Sequence, residues 1–165
     1  MAERIALRPA LPADAQKLAA LFRASVEELA REDYSEAQVE AWAALAADEA
    51  AFAEKLAGEL TIVALVEGEI AGFASLKGAD TLDMLYVHPA FARRGVGTGL
   101  CEAMEKLAGA RKAPVLTAEV SDCAQSFFAA RNYAAQKRNM VFVGDEVLGN
   151  TTMTKKLGPA NEKTP

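Results

Sequence analysis

The stretch FARRGVGTGL, Phe91–Leu100, places two arginines directly before glycines at 95, 97 and 99. Nowhere else in the chain are glycines packed this way. Without Cβ atoms the backbone curls tightly and approaches a ligand closely. Leu100, Cys101, Met104, Leu107 and Ala108 then recur at helical spacing, predicting a helix that ends near Gly109. The first amides of a helix lack internal acceptors, and its dipole puts partial positive charge there. That combination binds anions, and the guanidinium forks of Arg93 and Arg94 match phosphate oxygens. A pyrophosphate is the natural guest.

Two common phosphate motifs do not fit. No Gly-Lys-Ser/Thr follows, so the P-loop pattern is absent. A dinucleotide fingerprint needs glycine almost immediately after its strand, but HPAFARR separates Val87 from Gly95. Leu100 also stands in the place of its third glycine, although Glu119 lies where a ribose-binding acid would.

Outward from the glycines, TIVALVEGEIAGFASLKG (61–78) reads as two strands joined by a tight turn at Glu67-Gly68. DTLDMLYV (80–87) is a third strand, and PVLTAEV (114–120) follows the helix. Strand, helix, strand implies a right-handed parallel crossover. Ser121 is placed to cap a helix carrying Ala124, Phe127 and Phe128, with Asn132 beyond its end. NMVFVGDEVLGNTTMTKKL (139–157) forms a final hairpin turning at Gly144-Asp145. Upstream, RIALRPA (4–10) is a short strand. Ala15, Leu18, Phe22, Val26 and Leu29 make one apolar helical face. Ser35 with Gln38 forms a capping box for a second helix bearing Val39, Trp42, Ala43 and Ala46. Asp48 caps a third helix that Gly58 closes. The fold class is α/β: a single domain over 1–158 with a mixed sheet of about seven strands, antiparallel at first, and one parallel crossover. GPANEKTP is expected to be a disordered tail, 159–165 being outside the domain.

The chain of 165 residues carries a net charge of −5, which disfavours nonspecific nucleic-acid binding. The acidity is local: ten acidic and two basic residues, Arg31 and Lys55, lie between Ser25 and Leu60. Cys101 and Cys123 make no disulfide framework, and a single histidine, His88, excludes a histidine-rich metal site. No metal is expected. The N-terminus has no apolar core suited to a signal peptide, and no run is long enough to span a membrane. A cytoplasmic location is the default. The last hairpin offers an edge strand, so monomer and homodimer are both open.

The segment LYVHPAFARRGVGTGLCEAMEKLA resembles the cofactor-binding core of the GNAT superfamily of N-acetyltransferases. That pattern is a strand ending Leu-Tyr-Val and His-Pro, then Q/R-x-x-G-x-G/A at a helix start. Aligned from His88-Pro89, its glycines fall on Gly95 and Gly97, and Ala92 stands where Gln or Arg is usual. Shifted by two, Arg94, Gly97 and Gly99 satisfy it. Either frame points the amides of Arg94, Gly95, Val96, Gly97, Thr98 and Gly99 at a pyrophosphate. SDCAQSFFAARNY (121–133) is similar to the family's later helix, with Ser121 for Asn, Phe128 for Tyr and Asn132-Tyr133 for Gly-Phe. The order of elements also matches over nearly the whole chain.

The resemblance implies acetyl-CoA as cosubstrate and a primary amine, of a small molecule or a protein, as acceptor. It implies that the strand ending at Val87 splays from Val115–Val120 and that pantetheine pairs with Leu85, Tyr86 and Val87. Ser121, Phe127 and Phe128 would complete the cofactor wall. Amine attack needs a base and an oxyanion donor. Asp83 is the candidate base; alternation puts it with Leu85 and Val87, opposite Leu82, Met84 and Tyr86, and leaves open which face meets the cleft. Phe128 has no proton to give, so Tyr133 is the candidate acid, with protonation by water the alternative. The resemblance implies that acceptor contacts come from the early helices and their loop, here Glu32, Asp33 and Tyr34, in a region whose acidity would attract a cation. Trp42 is expected in the core. Phe128 also leaves open a non-catalytic acyl-CoA sensor.

Overall fold

This computed structural model of the protein describes residues 4–158. The predicted tail lies outside the described residues. The elements run β1 (Ile5–Pro9), α1 (Ala15–Leu29), α2 (Glu36–Ala43), α3 (Glu49–Gly58), β2 (Leu60–Val66), β3 (Glu69–Lys77) and β4 (Thr81–Val87). They continue with α4 (Val96–Ala110), β5 (Val115–Ser121), α5 (Gln125–Ala129), β6 (Ala134–Val143) and β7 (Glu146–Lys156). One seven-stranded sheet has the order β1-β2-β3-β4-β5-β7-β6. Among the described residues only β4 and β5 pair in parallel, with α4 as their crossover.

Local chemistry sets the boundaries. Ser35 Oγ accepts from the Gln38 amide at 3.1 Å, while Gln38 Oε1 accepts from the Ser35 amide at 2.8 Å. Asp48 caps α3 by accepting from the Ala51 amide at 3.1 Å. Glu67 and Gly68 have φ of 53° and 84°, as the tight hairpin requires. Asn132 closes the segment after α5 at φ 74°. Ser121 does not cap α5. It belongs to β5, and its Oγ lies 3.1 Å from Cys123 Sγ; Ala124 is the N-cap, without a side-chain bond. Leu29, expected on the apolar face, is exposed at 44%, while its neighbour Ala30 at the helix's C-cap is buried in its place.

The sheet separates two cores. Ile62, Ala64, Val66, Leu82 and Leu116 pack with Leu100 and Met104 of α4. On the other face Val63, Phe73 and Met84 pack with Leu18, Phe22 and Val26 of α1. Leu82 and Met84 thus face opposite ways, which simple alternation forbids. The cause is a β-bulge. Leu76 pairs with Leu82 and Ser75 with Met84, leaving Asp83 without a partner on β3. Pairing to β5 stops at the same point, being confined to Thr81–Thr117 and Leu82–Ala118. From Asp83 onward β4 and β5 diverge, and a cleft opens between them.

The cleft's roof is pinned across the sheet. The Tyr34 hydroxyl donates to the Gly149 carbonyl at 2.7 Å and accepts from the Asp122 amide at 2.8 Å. Gln38 Nε2 donates to the Val147 carbonyl at 2.8 Å. The turn between α1 and α2 is therefore tied to β5's end and to the β6–β7 hairpin. Tyr34→Phe leaves a buried carbonyl and amide unpaired. It is expected to cost about 1–3 kcal/mol, read as a lowered urea midpoint with unchanged slope.

Candidate active site

Gly95 is the N-cap of α4 in left-handed conformation, φ 86°, and Arg93 before it has φ 65°. The amides of the first helical turn, at Val96, Gly97 and Thr98, have no acceptor within an α-helix of this start. The Gly99 amide differs from expectation: it donates to the Gly95 carbonyl at 3.0 Å. It is the first satisfied amide of α4 and offers nothing to an anion. A Cβ at Gly97 would lie 3.2 Å from the Phe127 ring, whereas one at Gly99 would meet nothing within 4 Å. Gly95 is thus fixed by its left-handed conformation and a side chain at Gly97 needs Phe127 to give way, whereas Gly99 is under neither constraint, in keeping with the frame starting from His88-Pro89. His88 itself makes the turn, its Nδ1 accepting from the Ala90 amide at 3.0 Å.

In that frame Ala92 contributes no charge. Arg93 and Arg94 are exposed beside the loop, with the Arg94 guanidinium 5.1 Å from the centre of the Phe91 ring. A third cation was not read from the sequence. Arg131 lies four residues after Phe127, stacks on its ring at 3.7 Å and hydrogen-bonds Thr98 Oγ1 through Nη2. Its Nε is buried with no hydrogen-bond partner among the described residues. The legible signal was an arginine four residues after an aromatic, a helical neighbour pair.

The cleft between β4 and β5 holds about 180 Å³. Asp83, Leu85 and Tyr86 line it from β4, Ser121 from β5, Phe128 from α5, and Tyr34 from above. Val87 and Phe127 lie instead against Gly97 at the α4 N-terminus. Trp42 packs against the α1-side core as expected but is only half-buried and also borders the cleft, its ring 5.6 Å from that of Tyr34 and 6.4 Å from that of Tyr86. Glu32 and Asp33 are exposed and do not line the cleft, because their turn projects only Tyr34 inward. Glu119, not singled out for this role in the sequence, borders the cleft from β5; its Oε1 accepts from Asn139 at 2.9 Å and Thr152 at 2.7 Å.

Asp83 lies on the side opposite to expectation, because the bulge reverses the strand's phase. Its Oδ2 is 2.9 Å from Lys55 Nζ of α3, yet no donor is aligned on that atom as a hydrogen bond among the described residues. Asp83 holds the Lys55 ammonium above its ordinary pKa. Glu59 lies beside them, its side chain 8% exposed, accepting from Ser75 Oγ at 2.7 Å. Burial lifts its carboxyl above the usual range, with Asp83 acting the same way and Ser75 against it. Neither Lys55 nor Glu59 was assigned a role from sequence, although Lys55 is one of only two cations in an acidic segment.

Tyr133 is placed differently from a cleft acid. It is buried on the α4 side, and its hydroxyl donates to Glu105 Oε2 at 2.8 Å, with Lys155 on the other carboxylate oxygen at 3.0 Å. Burial raises its pKa. The thiols are likewise not activated: burial pushes Cys101 up to about 11 and raises Cys123 as well. Among the described residues no cluster of three or more His, Cys, Asp or Glu side chains could hold a metal. No described helix is long and apolar enough to cross a membrane.

A glycine cradle at a helix start beside splayed parallel strands defines a known architecture. The acetyltransferase (GNAT) domain family matches residues 30–157. The chain belongs to the GNAT superfamily of N-acetyltransferases. It is an acyltransferase, as its resemblance implied. A GCN5-related N-acetyltransferase from Rhodopseudomonas palustris is 56% identical over 94% of this chain and 98% of its own, with a TM-score of 0.93. YafP of Escherichia coli K12, an uncharacterized N-acetyltransferase, is 34% identical over 137 residues, 83% of this chain and 86% of that protein. The PaiA N-acetyltransferase of Thermoplasma acidophilum, solved with coenzyme A, shares the fold at a TM-score of 0.78 and 19% identity, over 93% of this chain and 99% of its own.

Proposed function

We propose that the chain transfers an acetyl group from acetyl-CoA to a primary amine, by direct attack in a ternary complex. The observation that carries this reading is the joining of the α4 amide cradle to the β4–β5 cleft. The cradle suits a diphosphate, and Gly97 keeps it free of a side chain. The edge of β4 facing β5 has no strand pairing beyond Leu82, so the backbone of Leu85, Tyr86 and Val87 is open to an extended pantetheine arm. Bound there, acetyl-CoA supplies a thioester carbon open to an amine.

The side chains then divide the work. Asp83 takes the proton of the incoming ammonium, directly or through water, so that the nitrogen lone pair is free to form the C–N bond. A backbone amide of β4 at the splay stabilises the carbonyl oxygen as it gains charge. The nitrogen gives up its second proton to water as the C–S bond breaks and the thiolate leaves. Tyr133 is committed to Glu105, Tyr34 to Gly149, and Phe128 has no proton, so we assign protonation of the thiolate to water.

Thiol release from acetyl-CoA with a panel of amines tests the reading, alongside calorimetric titration with CoA. Turnover above the no-amine background supports it. CoA binding without turnover favours an acyl-CoA sensor, which the missing tyrosine at Phe128 keeps as the second reading. Arg131 extends the cofactor site. Losing one charge-assisted phosphate contact costs about 1.5–3 kcal/mol. Arg131→Gln is therefore expected to raise the Kd for CoA about tenfold or more and to leave that for pantetheine unchanged.

A further inference from the structure

A second pocket, of about 390 Å³, opens on the α1–α3 side of β4 and shares Asp83, Met84 and Tyr86 with the cleft. Its walls are apolar and aromatic: Phe22, Phe52 and Tyr86, with Leu45 exposed at the rim. The Phe22 ring lies 4.6 Å from that of Tyr86 and 5.6 Å from that of Phe52. Only two charged side chains line it, Lys55 and Asp83, and they are paired at 2.9 Å.

We propose that this pocket binds the acceptor, and that the acceptor is an α-amino carboxylate with a large apolar or aromatic side chain. The inference rests on the N-acetyltransferase reading and names its substrate class. Asp83 joins the two pockets, so an amine held here meets a thioester held there. A polyamine fits poorly: it brings further positive charge beside Lys55, and Asp83, the pocket's one acid, is already neutralised. A zwitterion matches. Its amino and carboxyl groups are one carbon apart, so the first can reach Asp83 while the second reaches Lys55.

The exchange also serves the chemistry. A substrate carboxylate competes with Asp83 for the Lys55 ammonium. That relieves Asp83 of its counter-ion and leaves its carboxylate to the substrate ammonium. The ammonium proton passes to Asp83, the freed nitrogen takes the acetyl group, and the thiolate departs as in the parent reaction. The apolar side chain lies in the pocket against the rings of Phe22, Phe52 and Tyr86, where it is removed from water.

The test compares L-phenylalanine, L-phenylalaninamide, L-alanine and spermidine in the thiol-release assay. Phenylalanine is expected to exceed its amide at least tenfold in kcat/KM, and alanine by a similar factor. In Lys55→Met the ratio of acid to amide should fall toward one; Lys55→Gln is the second variant should Met unfold the protein. The amide matching or exceeding the acid overturns the proposal, as does spermidine as best acceptor. So does the absence of turnover across this panel by protein that binds CoA. Failure to bind CoA is a different result: it removes the acetyltransferase reading itself.

Discussion

Asp83→Asn is expected to lower kcat about 100- to 1,000-fold, the scale of a lost general base, while the Kd for CoA stays unchanged. The amide of asparagine keeps the shape of the carboxylate and one acceptor oxygen but cannot take a proton at neutral pH. The carboxylate sits where it is needed, in the β4 bulge where the strands part, with one oxygen lacking an aligned donor. Stability should change little. Lys55 is 46% exposed at the side chain and keeps Glu59 at 3.4 Å as a second partner, so losing the charge of Asp83 should cost only about 0–1 kcal/mol. The loss therefore reads as chemistry. An unchanged kcat would reduce Asp83 to a counter-ion of Lys55, and the base would have to be sought at Glu119 on the opposite wall.

What could be read from the sequence divides along a physical line. The Ser35–Gln38 box, the Asp48 cap, the Glu67-Gly68 turn and the left-handed Asn132 are settled by atoms within three residues of one another, so their signatures are local. The α/β architecture followed because apolar periodicity reports which face each element buries. The face of Asp83 did not follow. Alternation holds only while a strand gains no extra residue, and the bulge depends on how β4 pairs with β3. Tyr133 was misplaced for the same reason: its partner Glu105 lies 28 positions away and becomes a neighbour only after α4 packs. The expectation for Glu32 and Asp33 rests on the resemblance and on local charge, and neither says which residue of a turn points inward. Lys55 on α3 and Glu59 at that helix's C-cap meet Asp83 of β4, more than twenty positions further along the chain. The glycine loop was legible as the start of α4 but not in its register, since both frames place two glycines two positions apart.

Two substitutions two residues apart decide that register. Gly97→Leu is expected to weaken CoA binding about 100-fold or more, equivalent to about 2.7 kcal/mol or more. A Cβ at Gly97 already crowds the Phe127 ring at 3.2 Å and approaches Val87 at 3.7 Å. The rest of a leucine side chain must then either push Phe127 away, taking the stacked Arg131 with it, or occupy the space where phosphate oxygens meet the first-turn amides. Both outcomes damage the same site. Gly99→Ala is the contrasting case. Its Cβ meets nothing within 4 Å, and its amide is already bonded to the Gly95 carbonyl. Alanine at a helical position is favoured over glycine by roughly 0.5–1 kcal/mol, so the variant should melt higher and bind CoA as the parent does. Titration calorimetry with CoA, with thermal unfolding as the control for folding, reads both. Equal losses in the two variants would mean that the phosphates lie along α4 rather than at its tip, and the frame beginning at Arg94 would replace the one chosen here.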